Sequence, residues 1–303
     1  MTVKSIARTP RPLARSLSLV GGVVAALVVA AAPASAAVPG YQVVVTSSAF
    51  NATDFKTAPD AVCPSGKRLI GTGYTTSSST GNEIVVDEVI PVGSPDAAPT
   101  SARVGAVESD PTADRSWSVS ASAICANALA SLQRVVANSA FDSNSVKSAT
   151  AQCPTGKQLT GTGYSINGSA GEIVISRVQP DNGLSGAPSA VTVIASESDA
   201  VAASWSVQAF AVCANPLPGL VKVWTSSAID SSSAKTVTAS CPAGKTLTGV
   251  GYLTVPINGV EGQVTIDSVR PATNGGSVQV RAVEEDSFTG DWRVDAIAIC
   301  ATQ

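Results

Sequence analysis

Cys153-Pro-Thr-Gly-Lys-Gln-Leu-Thr-Gly-Thr-Gly-Tyr164 is answered further along the chain by Trp205-Ser-Val-Gln-Ala-Phe-Ala-Val-Cys213-Ala214. The same pair of stretches comes before it, Cys63 to Tyr74 with Trp117 to Cys125, and after it, Cys241 to Tyr252 with Trp292 to Cys300. Cys to Tyr is eleven positions in every copy, and Trp to Cys is eight. Self-similarity at a fixed period is the signature of a repeat architecture. The units occupy residues 41–126, 132–214 and 220–302, about 85 residues each. Within each, short alternating runs are bounded by Gly, Ser, Asn and Pro, and no window carries a helical period. The expected fold is all-β: three tandem antiparallel sandwich- or barrel-like modules in a pseudo-threefold repeat.

Alternation places Trp205, Val207, Ala209, Ala211 and Cys213 on one face of the last strand, with the equivalent residues in the other units. A tryptophan sharing a face with alanines and a cysteine reads as a core anchor rather than an exposed platform. Gly161 and Gly163 lack side chains, and the expectation is that Trp205 lies over them. The connectors carry Leu129, Leu132, Leu217 and Leu220. A free linker is polar, so these predict modules packed against one another.

Residues 1–36 read as an export signal. Lys4, Arg8, Arg11 and Arg15 precede an apolar run from Leu19 to Ala32, and Ala34-Ser35-Ala36 offers a cleavage site. Its removal turns 19 Lys and Arg against 22 Asp and Glu into 15 against 22, a net charge of −7. A secreted, extracellular product is expected, with no membrane attachment after cleavage. The negative balance without clustered cations argues against nucleic acid or an anionic membrane as partner.

Six cysteines behind an export signal read as three disulfides. Threefold repetition leaves two economical schemes. One joins each unit to the next; the other, favoured here, pairs Cys63–Cys125, Cys153–Cys213 and Cys241–Cys300, because a unit this small gains most from its own staple. The chain has no His, and its cysteines are isolated, so zinc is excluded on spacing and no metal or cofactor is expected.

An acidic pair recurs before each Trp strand: Glu108/Asp110, Glu197/Asp199 and Glu284/Asp286. Residues two apart on a strand project to one side, so these are the candidate ligand or ion contacts. Paired carboxylates suit glycoside hydrolysis or, with neighbouring oxygens, calcium. The structural alternative is that they meet Lys67, Lys157 and Lys245 or cap turns. Without His there is no Ser-His-Asp or Cys-His system, and no catalytic residue is assigned.

The units resemble those of secreted repeat proteins of actinobacterial type, which carry Cys-Pro-x-Gly-Lys, then Gly-x-Gly, and close on Trp and Cys-Ala. Here those motifs are Cys63 to Lys67, Gly71 to Gly73, Trp117 and Cys125-Ala126, with their counterparts in the other units. The resemblance covers roughly residues 41–302 and implies an exported disulfide β module, without an activity to transfer. The expected function is a non-catalytic extracellular binding or cell-surface protein, with recognition on the loops that differ between units: 75–82, 165–170, 253–261 and the Pro-rich 91–100. A neutral glycan or cell-envelope polymer is the expected partner. The alternatives are a carboxylate-dependent polysaccharide hydrolase and a purely structural or protective exterior protein. Oligomeric state is left open.

Overall fold

The structure is a computed structural model that describes residues 1–2, 38–78, 84–110, 115–168, 171–181, 186–257, 262–284 and 288–303. The export segment therefore lies, except for its first two residues, outside the described residues. Residues 35–303 form one compact unit.

The first module contains β1 (Gln42–Ser47), β2 (Phe55–Thr57), β3 (Ala61–Val62), β4 (Lys67–Ser78), β5 (Ile84–Val92), β6 (Ser101–Glu108) and β7 (Trp117–Asn127). The second contains β8 (Gln133–Asn138), β9 (Val146–Gln152), β10 (Gln158–Asn167), β11 (Ile173–Pro180), β12 (Ala190–Glu197) and β13 (Ser206–Ala214). The third contains β14 (Val221–Ser226), β15 (Ala234–Ser240), β16 (Lys245–Pro256), β17 (Val264–Pro271), β18 (Ser277–Glu284) and β19 (Trp292–Thr302). Every pairing between these strands is antiparallel, and the fold is all-β with a threefold repeat and one disulfide per module.

No module keeps its strands in one sheet. Half of each module joins half of its neighbour, giving three sheets in the orders β1-β7-β4-β17-β18-β15, β2-β6-β5-β10-β13-β8 and β14-β19-β16-β11-β12-β9. The third module closes on the first, so the arrangement is cyclic. The junctions are short: Tyr164↔Val89 and Ser165↔Glu88, Arg177↔Leu253 and Val178↔Tyr252, Ser268↔Thr75 and Val269↔Tyr74.

The Gly-x-Gly motif permits this closure. A register shift after Leu69, Leu159 and Leu247 precedes the first glycine of each motif. A bulge of this kind bends and twists a strand. A Cβ on Gly161 would collide with the Ile70 carbonyl and with Gly71 of the preceding module. One on Gly163 would lie 2.6 Å from Pro91 Cδ. The glycines thus admit neighbouring backbone and proline, and the expectation that Trp205 covers them is corrected. Trp205 lies near the far end of the strand, with its Cβ 3.5 Å from where a Cβ on Gly168 would be.

Tyr74, Tyr164 and Tyr252 follow these glycines and are buried together. Tyr74 and Tyr164 meet edge to face at 6.5 Å between ring centroids, and Tyr74 Oη donates to Tyr252 Oη at 3.3 Å. Burial pushes all three phenols upward. The void between them is about 10 Å³, the room of a single water and too small for a ligand. The connector leucines 129, 132, 217 and 220 are also buried, as their apolar character predicts.

The disulfides are Cys63–Cys125, Cys153–Cys213 and Cys241–Cys300, with Cα separations of 5.6, 5.7 and 5.8 Å. Each is intra-module. Cys63 donates its backbone N–H to Thr100 O, beside β6, whereas Cys125 lies in β7 of another sheet. The bond therefore ties together the two half-sheets that a module contributes to different sheets. Three such bonds fit an oxidising environment.

Candidate functional site

The repeated acids end each Trp strand's neighbour, and their surroundings decide what they do. Trp117, Trp205 and Trp292 are fully buried. Lys56, Lys147 and Lys235 place Nζ over these rings at 4.6, 4.8 and 4.7 Å, within cation–π range. Each lysine is itself buried and donates to the residue that opens an adjacent turn, namely Asn51, Asp142 or Asp230. Those turn residues form isolated bridges to the same tryptophans. The hydrogen bond from Lys235 holds the Asp230 carboxyl down to about 2, and that from Lys147 lowers Asp142.

The indole N–H of Trp205 donates to Glu197 Oε1 at 2.9 Å, and that of Trp292 to Glu284 Oε1 at 3.0 Å. A buried indole N–H needs such an acceptor. The Glu-to-Trp spacing is eight residues in both modules and nine in the first. With that extra residue, Glu108 instead lies 3.3 Å from Arg115 Nε in a buried ion pair. Burial pushes Glu108 up, with Arg115 pulling it down.

In modules one and two the second member of the acidic pair does not share the strand face. β6 ends at Glu108 and β12 at Glu197, so Asp110 and Asp199 lie beyond the strands; Asp199 is exposed. Asp286 is outside the described residues. The lysines expected to meet these acids are elsewhere: Lys67 donates to Gly40 O, Lys157 to Ser131 O at 2.7 Å, and Lys245 to Gly219 O. Among the described residues no three Cys, Asp or Glu side chains converge as a metal site. Glu197 and Glu284 are structural acceptors in a repeated Trp–Lys–Glu unit, and Glu108 is held by Arg115.

The surface also carries apolar residues that repeat. β1, β8 and β14 end at Ser47, Asn138 and Ser226. Phe50, Phe141 and Ile229 are left 55%, 60% and 52% exposed. On the other side of the turn that follows stand Phe55 at 50%, Val146 at 54%, and exposed Ala234. The pairs are thus Phe/Phe, Phe/Val and Ile/Ala at equivalent positions. The exposure of the first member of each pair is signalled by the polar turn that follows directly, Asn51, Asp142 or Asp230.

A cleft of about 550 Å³ lies on the outer face of the sheet shared by modules one and two. Its floor is Ile90, Val136 and Phe210, and its polar lining is Arg134, Gln208 and Asp96. The Pro-rich segment 93–100 arches from β5 to β8, where Asp96 N–H donates to Arg134 O and Arg134 N–H to Ala97 O.

No helix among the described residues is long and apolar enough to cross a membrane. No family model matches the chain, and no curated protein matches it either.

Proposed function

We propose that this chain is a secreted, non-catalytic binding protein that engages a neutral glycan or cell-envelope polymer at several points. Residues 1–36 supply the export signal, and the disulfides suit the oxidising exterior. The repeat resembles secreted actinobacterial-type modules, in keeping with that location.

The observation that carries the reading is the recurrence of an exposed apolar pair at equivalent turns of all three modules. Single exposed apolar residues need no explanation, whereas recurrence at one place on a rigid scaffold does. Ring faces of Phe50, Phe55 and Phe141 suit the apolar faces of sugar rings. Three weak sites on one body add by avidity when a repetitive polymer reaches more than one of them. A net charge of −7 after cleavage turns away acidic polymers. The carboxylates a hydrolase needs are engaged by tryptophan and arginine, so the non-catalytic reading leads.

The test is retention of mature protein, residues 37–303, on insoluble chitin, cellulose and peptidoglycan. Retention on at least one polymer is expected, with F50A/F55A and F141A each weakening it and their combination reducing it at least tenfold. Equal retention of wild type and the combined variant removes the turns from recognition. Retention on no polymer would favour a structural role.

A further inference from the structure

We propose that the cleft beneath the 93–100 arch binds a small carboxylate-bearing molecule with an apolar body, its carboxylate received by the Arg134 guanidinium. The guanidinium is held in place at one end only. Nη1 donates to Pro91 O at 3.0 Å, and the group lies over the Phe210 ring at 5.3 Å. Nε is buried and has no hydrogen-bond partner. With Nε covered, the donors left to a ligand are on the two Nη atoms, through which a guanidinium can receive a carboxylate. Burial pulls the Arg134 pKa below its usual value, with no protein carboxylate offsetting it.

The rest of the cleft suits the other end of such a ligand. Ile90, Val136 and Phe210 make an apolar floor, and the volume falls within the usual range for small-molecule sites. Gln208 is oriented by donating to Asn138 Oδ1 at 2.8 Å. Asp96, at φ 58°, stands exposed at the rim, where it would favour a ligand with a donor or ammonium near the carboxylate.

The site belongs to one junction only. Arg134 is the second residue of β8; the second residue of β1 is Val43, and that of β14 is Lys222. Lys222 is buried and donates to the carbonyls of Pro180 and Asp181. Phe210 is replaced by Ser122 in β7 and by Ile297 in β19. One site per chain follows, distinct from the three apolar turns.

The shared chemistry is the carboxylate, and two sources carry it: a peptide C-terminus and a sugar acid. The experiment is an NMR titration of the wild-type mature protein with N-acetyl-L-leucine, N-acetyl-L-leucinamide and glucuronate, following Arg134 Nε–H and the Val136 and Phe210 amides. A carboxylate probe should saturate one site and move Nε–H, and the leucinamide should bind at least tenfold more weakly. The tighter of N-acetyl-L-leucine and glucuronate identifies the source. R134Q should lose at least tenfold and R134K less. No shift from either carboxylate up to about 10 mM overturns the proposal. So does a leucinamide that binds as well as the acid, or an R134Q protein of unchanged melting that binds as well as wild type. The wild-type titration decides the matter even where a variant fails to fold.

Discussion

Gly71, Gly161 and Gly249 each stand where the backbone of another module passes. At Gly161 the obstacles to a methyl group are Ile70 O and Gly71 Cα, which are backbone atoms and cannot swing aside. Gly161→Ala must therefore push two modules apart. Overpacking of this kind costs about 3 kcal/mol. In a chain of this size that lowers Tm by roughly 6–10 °C. An unchanged Tm would show that the modules approach less closely than described. Asp87 presents a different strain, at the register shift between Val86 and Glu88 in β5. Burial first, and the charge of Glu88 second, push its carboxyl up to about 6 from 3.8. Folding then favours the protonated form. The stabilisation is fully present below pH 3.8 and is lost as pH rises through 6. At one pKa unit per 1.36 kcal/mol, the difference is about 3 kcal/mol. Asp87→Asn should therefore be more stable than wild type at pH 7.5, with the gap closing toward pH 4, as read by urea unfolding at each pH. A gap independent of pH would rule out Asp87 as the titrating group.

At the scale of the element, the closing strand was the most readable part of the chain. Period-two alternation placed Trp205, Val207, Ala209, Ala211 and Cys213 inward, and all are fully buried. The partner of each strand was not readable, because alternation identifies a buried face without naming the neighbour across the ladder. β5, β11 and β17 each pair along one edge with a strand of another module, and Gly-x-Gly together with Pro91, Pro180 and Pro271 marks that junction in the sequence. The acids were found by their repetition, yet their role depended on an indole several residues downstream. That role is testable. Glu197→Ala leaves the buried Trp205 N–H without its acceptor and should cost about 1–3 kcal/mol, whereas Glu197→Gln retains an acceptor and should cost less. Equal losses in chemical denaturation would detach the carboxylate from the indole. The disulfides act on the same elements. Replacing Cys153 and Cys213 by Ala opens a loop of 60 residues and should cost about 4 kcal/mol in the chain-entropy account. Reduction should lower Tm without changing the far-ultraviolet circular dichroism below the transition.

For the whole molecule, the exchange of half-sheets makes the repeat a unit of sequence rather than of folding. Residues 132–214 alone would present β10 without β5 and β11 without β16. They would also expose Tyr164, whose Oη donates to Val86 O in the neighbouring module at 3.2 Å. The two half-sheets of the second module belong to different sheets and face each other across Trp205, with Lys147 and Glu197 against its ring at one end and Cys153–Cys213 at the other. Two facing half-sheets of three strands, each with its junction edge unpaired, bury too little apolar surface to offset the chain entropy of about 85 residues. The excised module should therefore show no cooperative melting and no near-ultraviolet circular dichroism from Trp205, even with its disulfide intact. The mature chain should unfold in a single transition, because loss of any module leaves an unpaired edge on both neighbours. Calorimetry distinguishes these outcomes: one transition with matching calorimetric and van't Hoff enthalpies is expected. A native-like melt of residues 132–214 alone, or three resolvable transitions in the whole chain, would mean that the modules are stable without their shared sheets.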